Sequence, residues 1–190
     1  MSETILTNAE LRSLGGISAS IDESTVTVVN EAATAQLAEI LGLGGFLKQE
    51  VTGERVRVAD DFLETSRVPV DLAEEIAIQD LNGNAVEGLN FELTPGGQLR
   101  IADENRILAQ EIRMDYTGGW ETGGIPSELK MAVAFLAAGM IAARSAAGSG
   151  EVQSYKIGTQ QVVFKSESGS QAAAVLQGLI RKWRRLSFSV

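Results

Sequence analysis

The chain has 190 residues, a hydrophobic share of 44% and a formal net charge of −9, and it contains no cysteine and no histidine. Length and composition fit one globular domain, or one domain with an insertion, and do not fit a disordered chain. Without cysteine there is no disulfide framework and no thiolate zinc site. Without histidine the commonest general base and metal ligand is missing, so catalysis is less expected, although carboxylate, lysine or serine chemistry stays open.

Neither the N-terminus nor the longest apolar run has the pattern of a targeting or membrane segment. The opening MSETILTNAELRSLGG lacks a basic start followed by an apolar core, so it predicts no signal peptide. The apolar run 131–143 is shorter than the about 20 residues that span a bilayer. We therefore expect a soluble chain that is made in the cytoplasm.

The residues before position 48 predict a short helix and a long one. In TNAELRSL, Thr7 or Asn8 is placed to cap a short helical turn. Ser20 and Glu23 have the spacing of a capping box, and the apolar residues after them recur at helical spacing until LGLGG. This pattern predicts a first long helix over about 21–41.

From about 48 to 116 the apolar residues alternate with polar ones, as in an antiparallel sheet with one covered face. The alternating residues are Val56 and Val58, Ile76 and Ile78, Leu89, Phe91 and Leu93, Leu99 and Ile101, and Ile112, Met114 and Tyr116. Asn82-Gly83 and Pro95 to Gly97 are turn sequences. The segment is predicted to be a β-subdomain of about five short strands.

The C-terminal part predicts a buried helix, a hairpin and a last helix. Pro126 suits the first turn of a helix that ends at about Ala146 and is apolar on both sides, hence buried all round. YKIGTQQVVFK predicts a β-hairpin that turns near Gly158 and Thr159. The last helix places apolar residues at seam positions for a partner helix, namely Ala172, Leu176, Leu179, Trp183 and Leu186.

Together these elements predict an α+β fold. It has a helical bundle core, residues 1–47 and 118–190, with an inserted antiparallel β-subdomain, residues 48–117, and a C-terminal β-hairpin plus helix.

Two glycine pairs in YTGGWETGGIP raise the question of a phosphate cradle. A P-loop needs GxxxxGK followed by serine or threonine, but Ile125 follows Gly123-Gly124 here. The paired glycines also lack the GxGxxG spacing of dinucleotide sites, and Glu121 places a negative charge where a phosphate would lie. We interpret the loop as a turn into a buried helix.

The acidic residues offer weaker candidates for chemistry. The pairs are Asp60-Asp61, Glu74-Glu75 and Asp103-Glu104. Neighbouring residues on a strand point to opposite faces, so we interpret these pairs as solvated strand ends. DLNGNAVE from Asp80 resembles a calcium loop slightly but lacks the full ligand spacing, so a hairpin turn is favoured. No metal, cofactor or catalytic residue is predicted.

Charge is concentrated at the C-terminus. Residues 1–150 hold 10 basic and 23 acidic residues, a net charge of −13, whereas residues 151–190 hold 6 and 2, a net charge of +4. An acidic body argues against wrapping nucleic acid, while the basic, aromatic segment RKWRRLSFSV fits an acidic partner surface. The predicted partner-binding residues are Arg181, Lys182, Trp183, Arg184, Arg185, Phe188 and Val190.

The order of several short motifs resembles the head–tail connector proteins of tailed phages, also called adaptor or head-completion proteins, which gene-transfer particles carry as well. The matching pieces are ILTNAELRSL, Tyr116-Thr117-Gly118-Gly119, Ile125-Pro126, Leu129-Lys130-x-Ala132-Val133 and Tyr155-x-Ile157-Gly158. The similarity extends over most of the chain, and it is the order of the pieces that carries it.

The resemblance implies a structural virion protein that is no enzyme and needs no cofactor. Such a protein forms a homo-oligomeric ring, a dodecamer, between the portal protein and a downstream neck or tail protein. It extends the DNA channel, binds no particular DNA sequence and no membrane, and resides in the neck of a virion assembled in the host cytoplasm. The C-terminal segment of such proteins commonly docks against the portal.

Two other classes of function stay open. The basic C-terminal segment also fits a membrane-associated accessory protein that binds anionic lipid. A carboxylate-based hydrolase acting on glycans, with the β-subdomain as scaffold, would use Glu121 and the acidic pairs.

Overall fold

The computed structural model describes residues 3–94, 97–102, 111–146, 153–157, 160–164 and 177–178. This part of the chain is α+β, with three helices and a curled six-stranded antiparallel sheet. The chain divides into two compact units, Met1–Gly42 with Ile125–Val190, called the helical unit below, and Leu43–Gly124, called the sheet unit. The helical bundle core and the domain boundaries given above stay predictions.

Helix α1 (Asn8–Gly15) begins with the cap that the sequence predicts. The side chain of Thr7 accepts a hydrogen bond from the backbone of Glu10, and the Glu10 carboxylate accepts one from the backbone of Thr7. This capping box satisfies amide groups that a helix start leaves unpaired. The hydrogen bond that the Thr7 backbone donates to the Glu10 carboxylate, followed by one from the Thr7 hydroxyl, holds the pKa of Glu10 below its usual range.

Helix α2 (Glu23–Leu41) corrects one prediction, because its cap is Asp22 and not Ser20. Asp22 Oδ1 accepts a hydrogen bond from the backbone of Thr25 at 2.8 Å, and hydroxyl groups of Ser24 and Thr25 also donate to this carboxylate. Bonds from Ser24 and then Thr25 lower the pKa of Asp22. SIDE contains two residues of types that cap helices, Ser20 and Asp22. Asp22, which is nearer the helix, forms the cap.

Helix α3 (Ser127–Ala146) follows Pro126 as predicted and packs against both α1 and α2. Its burial differs between its two faces, which corrects the expectation of a helix buried all round. Leu129 and Val133 are fully buried, whereas Met131, Phe135 and Ile141 are half-buried. An even apolar composition thus does not mean even burial within one subunit.

The sheet consists of β1 (Gln49–Ala59), β2 (Phe62–Glu64), β3 (Ala77–Gln79), β4 (Phe91–Leu93), β5 (Leu99–Ile101) and β6 (Glu111–Gly118). The strand order is β3-β6-β1-β2-β5-β4, and each pair of neighbours is antiparallel. The alternation in the sequence is confirmed, because one face closes over a core. That core comprises Val56, Leu63, Val70, Ile78, Leu99, Ile101, Ile112, Met114 and Tyr116.

The turn sequences act as expected, but the pairing differs from simple hairpins. Gly83, with φ of 89°, closes a turn in which its amide donates to Asp80 O. In the described residues after this turn, the chain forms only an isolated bridge to β3, between Gln79 and Ala85, and no second strand of a hairpin. The sheet neighbour of β3 is β6. Gly97 lies in the turn that joins β4 to β5.

Strand β1 contains a bulge where it pairs with β6. Val51 lies opposite Tyr116 and Glu54 lies opposite Met114, so β1 uses one residue more than β6 over this interval. A bulge of this kind changes which face the following residues point to. It brings Glu54 to the same face of the sheet as Val51, within reach of the Tyr116 hydroxyl.

Beyond α3 the structure describes only a hairpin and two further residues. Strand β7 (Gln153–Ile157) pairs antiparallel with β8 (Gln160–Phe164). The predicted turn residues Gly158 and Thr159 lie outside the described residues, as does the last helix except for residues 177–178, which are helical.

Candidate functional site

The predicted partner-binding segment lies outside the described residues. This applies to Arg181, Lys182, Trp183, Arg184, Arg185, Phe188 and Val190. The structure therefore leaves their assignment as a prediction.

The loop YTGGW, by contrast, lies within the described residues, and Tyr116 makes its main side-chain contacts. The Tyr116 hydroxyl donates to Glu54 Oε2 at 2.6 Å and accepts a hydrogen bond from the backbone of Arg67 at 3.0 Å. Its ring is buried in the sheet core. Burial, followed by the bond to the Glu54 carboxylate, raises the pKa of Tyr116 to about 12. The phenol is therefore neutral at physiological pH and fixed by two partners.

The Glu54 carboxylate accepts two more hydrogen bonds besides that of Tyr116. The backbone of Ser66 donates to Oε1 at 2.7 Å, and the Ser66 hydroxyl donates to Oε2 at 2.9 Å. Residues far apart in sequence are thereby fastened to one half-buried carboxylate. We call Tyr116, Glu54, Ser66 and Arg67 the tyrosine clasp.

The amides after Tyr116 are occupied as well. Gly119 donates to Pro69 O at 2.9 Å and Trp120 donates to Phe46 O at 2.7 Å. The rings of Phe46 and Trp120 stack with centroids 6.2 Å apart. A phosphate cradle needs free amides that point at the anion. These two amides point at protein carbonyls, which agrees with the interpretation as a turn.

Glu121, the candidate carboxylate in this loop, is part of an ion-pair cluster. Lys48 Nζ lies 2.8 Å from Asp71 Oδ2 and 3.2 Å from Glu121 Oε1. The hydrogen bond to Asp71, then that to Glu121, raises the pKa of Lys48, and Lys48 in turn lowers the pKa of Asp71. The cluster joins the residue before strand β1 to two loops, and both carboxylates are already paired with Lys48.

The two acidic pairs that the structure describes do not meet at a common point. Asp60 and Asp61 lie at the β1–β2 turn, where Asp61 Oδ2 is 4.0 Å from Arg100 Nη2. Glu74 and Glu75 are both exposed in a separate loop. The third pair, Asp103 and Glu104, lies outside the described residues. The two described pairs thus show no converging carboxylates of the kind that glycan hydrolysis needs.

The loop that starts at Asp80 is a turn held by its own carboxylate. Asp80 Oδ1 accepts hydrogen bonds from the backbones of Asn82 and Asn84, both at 2.8 Å, and Oδ2 accepts one from the Asn84 side chain. These bonds, the Asn84 side-chain bond first, lower the pKa of Asp80. Among the residues with described positions, no cluster of acidic side chains could hold a metal ion.

The tyrosine clasp is hard to predict from the sequence, because its two ends are far apart in the chain. In the sequence, Glu54 looks like an ordinary polar residue of an alternating strand. It points to the core face only because of the bulge in β1. Its partner Tyr116 lies 62 residues away. Even so, the sequence offers one indication of the clasp. Glu54 is a polar residue at a position where the alternation expects an apolar one, and it follows Gly53, a glycine of the kind that often marks a bulge.

No helix in the described part of the chain is long and apolar enough to cross a membrane.

No family model and no curated protein matches the chain. Among solved structures, it is similar to a chain in the "Neck of empty GTA particle computed with C6 symmetry". The identity is 16%, the TM-score is 0.47, and the match covers 97% of this chain and 92% of the other.

Proposed function

We propose that the chain is a structural subunit of a phage-like particle, located in the neck between head and tail. In this proposal it is no enzyme. A homo-oligomeric ring, a dodecamer, joins the portal protein to a downstream neck or tail protein and extends the DNA channel. The observation that carries the proposal is the order of the motifs ILTNAELRSL, YTGGW, IPSELKMAV and YKIG along the chain.

The structural roles of the motif residues support a scaffold. ILTNAELRSL forms the capped helix α1, and Tyr116 anchors the tyrosine clasp. Leu129 and Val133 are buried where α3 packs in the helical unit. These three motifs are thus accounted for by packing and hydrogen bonding, without any reaction assigned to them.

The charge distribution supports a channel through which DNA slides. Residues 1–150 carry a net charge of −13, and a surface of the same sign as DNA repels the phosphate backbone and does not grip it. The basic segment 181–190 is then the part suited to an acidic partner, and we assign it to the attachment of the subunit to the portal.

Truncation after Ile180 tests the attachment. We expect the truncated protein to keep the far-ultraviolet circular dichroism and melting temperature of the full chain, yet to be missing from particles assembled in cells that lack the native protein. As a matched control, Arg181, Lys182, Arg184 and Arg185 are replaced by glutamine with Trp183 retained, which separates charge from aromatic contact.

Entry of the truncated protein into particles at the normal level would contradict the attachment role. Electron microscopy of particles from cells without the gene tests the wider proposal, since heads without tails are expected. Flotation with anionic vesicles that depends on residues 181–185 would support the membrane-associated alternative instead.

A further inference from the structure

A groove of about 360 Å³ lies along edge strand β3 in the sheet unit. Five apolar side chains form its floor, namely Ile76, Ile78, Val86, Leu89 and Phe91, and polar groups provide more than half of the surface that lines it. Ile78 is buried, and the other four are half-buried, so their upper surfaces stay open. Glu75 and Glu87 line the same groove and are exposed. Neither glutamate forms an ion pair with any residue in the described ranges.

The segment that builds the groove is one-sided in charge. Residues 68–99 contain six acidic residues and neither lysine nor arginine. Asp71 is paired with Lys48, and Asp80 is bonded to the amides of its own loop. Glu75 and Glu87 therefore remain as carboxylates without a cation at the edge of an apolar floor.

On the outer face of the sheet two arginines lie directly opposite each other. Arg55 on β1 and Arg113 on β6 are cross-strand partners, and both are exposed. Neither has an ion-pair partner among the residues that the structure describes. Like charges directly opposite on a sheet destabilise it.

The acidic residues of that outer face that lie nearest the two arginines along the strands are aligned with other residues. Glu111 and Glu64 lie opposite Arg57, and Glu92 lies opposite Arg100. Asp115 accepts a hydrogen bond from the backbone of Gly53. The repulsion between Arg55 and Arg113 is therefore not relieved by the cross-strand neighbours.

We propose that the groove of one copy binds Arg55 and Arg113 of a second copy of this chain. The inference rests on the proposed ring of identical subunits and names one of its contacts. An arginine fits the groove because its apolar stem covers apolar surface while its guanidinium binds a carboxylate with two hydrogen bonds. The ring of Phe91 on the groove floor adds a face on which a guanidinium stacks favourably.

The proposed contact is heterologous. The groove floor includes Ile78, which points to the core side of the sheet, whereas Arg55 and Arg113 point to the opposite side. Each bound pair of copies therefore keeps one free groove and one free arginine pair. Such head-to-tail contacts close into rings when the rotation per subunit allows it.

Two charge-reversal variants of the full-length protein test the contact by sedimentation velocity at low and high salt. The arginine variant carries Arg55→Glu with Arg113→Glu, and the groove variant carries Glu75→Lys with Glu87→Lys. We expect wild type to associate at low salt and each variant alone to associate roughly a hundredfold more weakly. Cross-strand repulsion persists in the arginine variant, because two glutamates replace two arginines, so its folding should be little changed.

Mixing the two variants gives the sharpest result. In the mixture, the intact groove of the arginine variant meets the intact arginine pair of the groove variant. The two mutated surfaces also carry opposite charges, so we expect assemblies in which the two variants alternate. Combining all four substitutions in one chain should restore association with reversed charges.

The control Glu31→Lys with Glu39→Lys makes the same charge change on α2 and should associate as wild type does. Association of either test variant at wild-type strength, or wild-type protein that stays monomeric at every salt concentration, would overturn the inference. Electron microscopy of particles tests the proposed neck role separately. If both charge-reversal variants still form a ring, only the contact between groove and arginine pair is rejected.

Discussion

The two glycine pairs of YTGGWETGGIP look alike in sequence but occupy opposite environments. A Cβ atom added at Gly118 would lie 2.8 Å from the ring of Tyr116 and 2.9 Å from Arg67 O. One added at Gly119 would overlap the carbonyl of Leu47. One added at Gly123 would meet nothing within 4 Å, and one at Gly124 would make ordinary contact with Glu121.

The two glycine pairs therefore have different structural roles. Gly118 and Gly119 let β6 end in close contact with the segments around Leu47 and Arg67, so they are needed for packing across the sheet unit. Gly123 and Gly124 lie in an open turn before Pro126, where other residues are sterically allowed. Only the neighbouring backbone, which local sequence does not reveal, separates the two cases.

Gly119→Ala should have the largest effect. Gly119 has φ of 108°, and its added methyl group would collide with backbone that cannot move aside. We expect a loss of about 3–5 kcal/mol in the free energy of unfolding, measured by urea denaturation. A loss below about 1 kcal/mol would show that the segment around Leu47 adapts, and the contrast between the glycine pairs would disappear.

Tyr116→Phe should have an intermediate effect, because it removes a hydroxyl that serves two partners of the tyrosine clasp. Leaving Glu54 and the Arg67 amide short of a partner should cost about 1–3 kcal/mol. The same experiment has a pH signature. The pKa of Tyr116 is about 12 in the folded protein against 10.0 normally, so the neutral phenol stabilises the fold fully below pH 10 and this stabilisation is lost as pH rises toward 12.

The stability difference between wild type and Tyr116→Phe should therefore narrow between pH 10 and about 12. Urea denaturation at a series of pH values, with the absorbance of tyrosinate followed in parallel, measures it. A constant difference across this range would mean that the hydroxyl is not held neutral by its surroundings.

Gly123→Ala should have the smallest effect, within about 0.5 kcal/mol of wild type, because the added methyl group meets open space. The thermal midpoint of this variant is the matched reference for Gly119→Ala, since both exchange the same atoms in one loop. A large loss at Gly123 would indicate a contact of this turn that a single subunit does not contain.

Much of the fold follows from local pattern. Thr7 with Glu10, Pro126 before α3 and the alternation through Ile112, Met114 and Tyr116 each specify their element, because caps and periodicity depend on neighbours in sequence. The α+β class was therefore within reach of the sequence.

The features that could not be predicted from the sequence depend mostly on contacts between residues far apart in the chain. Strand β2 (Phe62–Glu64) shows no alternation, because its two apolar residues, Phe62 and Leu63, are adjacent, so six strands replace the predicted five or so. The groove and the Arg55–Arg113 pair exist only once β3 and β1 are both aligned on β6. Residues 181–190, by contrast, stand out by composition alone.

The extra residue in β1 between Val51 and Glu54 makes this strand one residue longer than its pairing with β6 needs. Deleting Thr52 or Gly53 would remove the bulge and leave Val51 opposite Tyr116 and Glu54 opposite Met114, so Val56 would still point to the core. A deletion farther along β1, where no extra residue is present, would turn the side chains that follow it to the other face of the sheet. One-residue gaps should therefore be tolerated best at Thr52, at Gly53 and at the Asn82 loop, where length alters no strand's orientation.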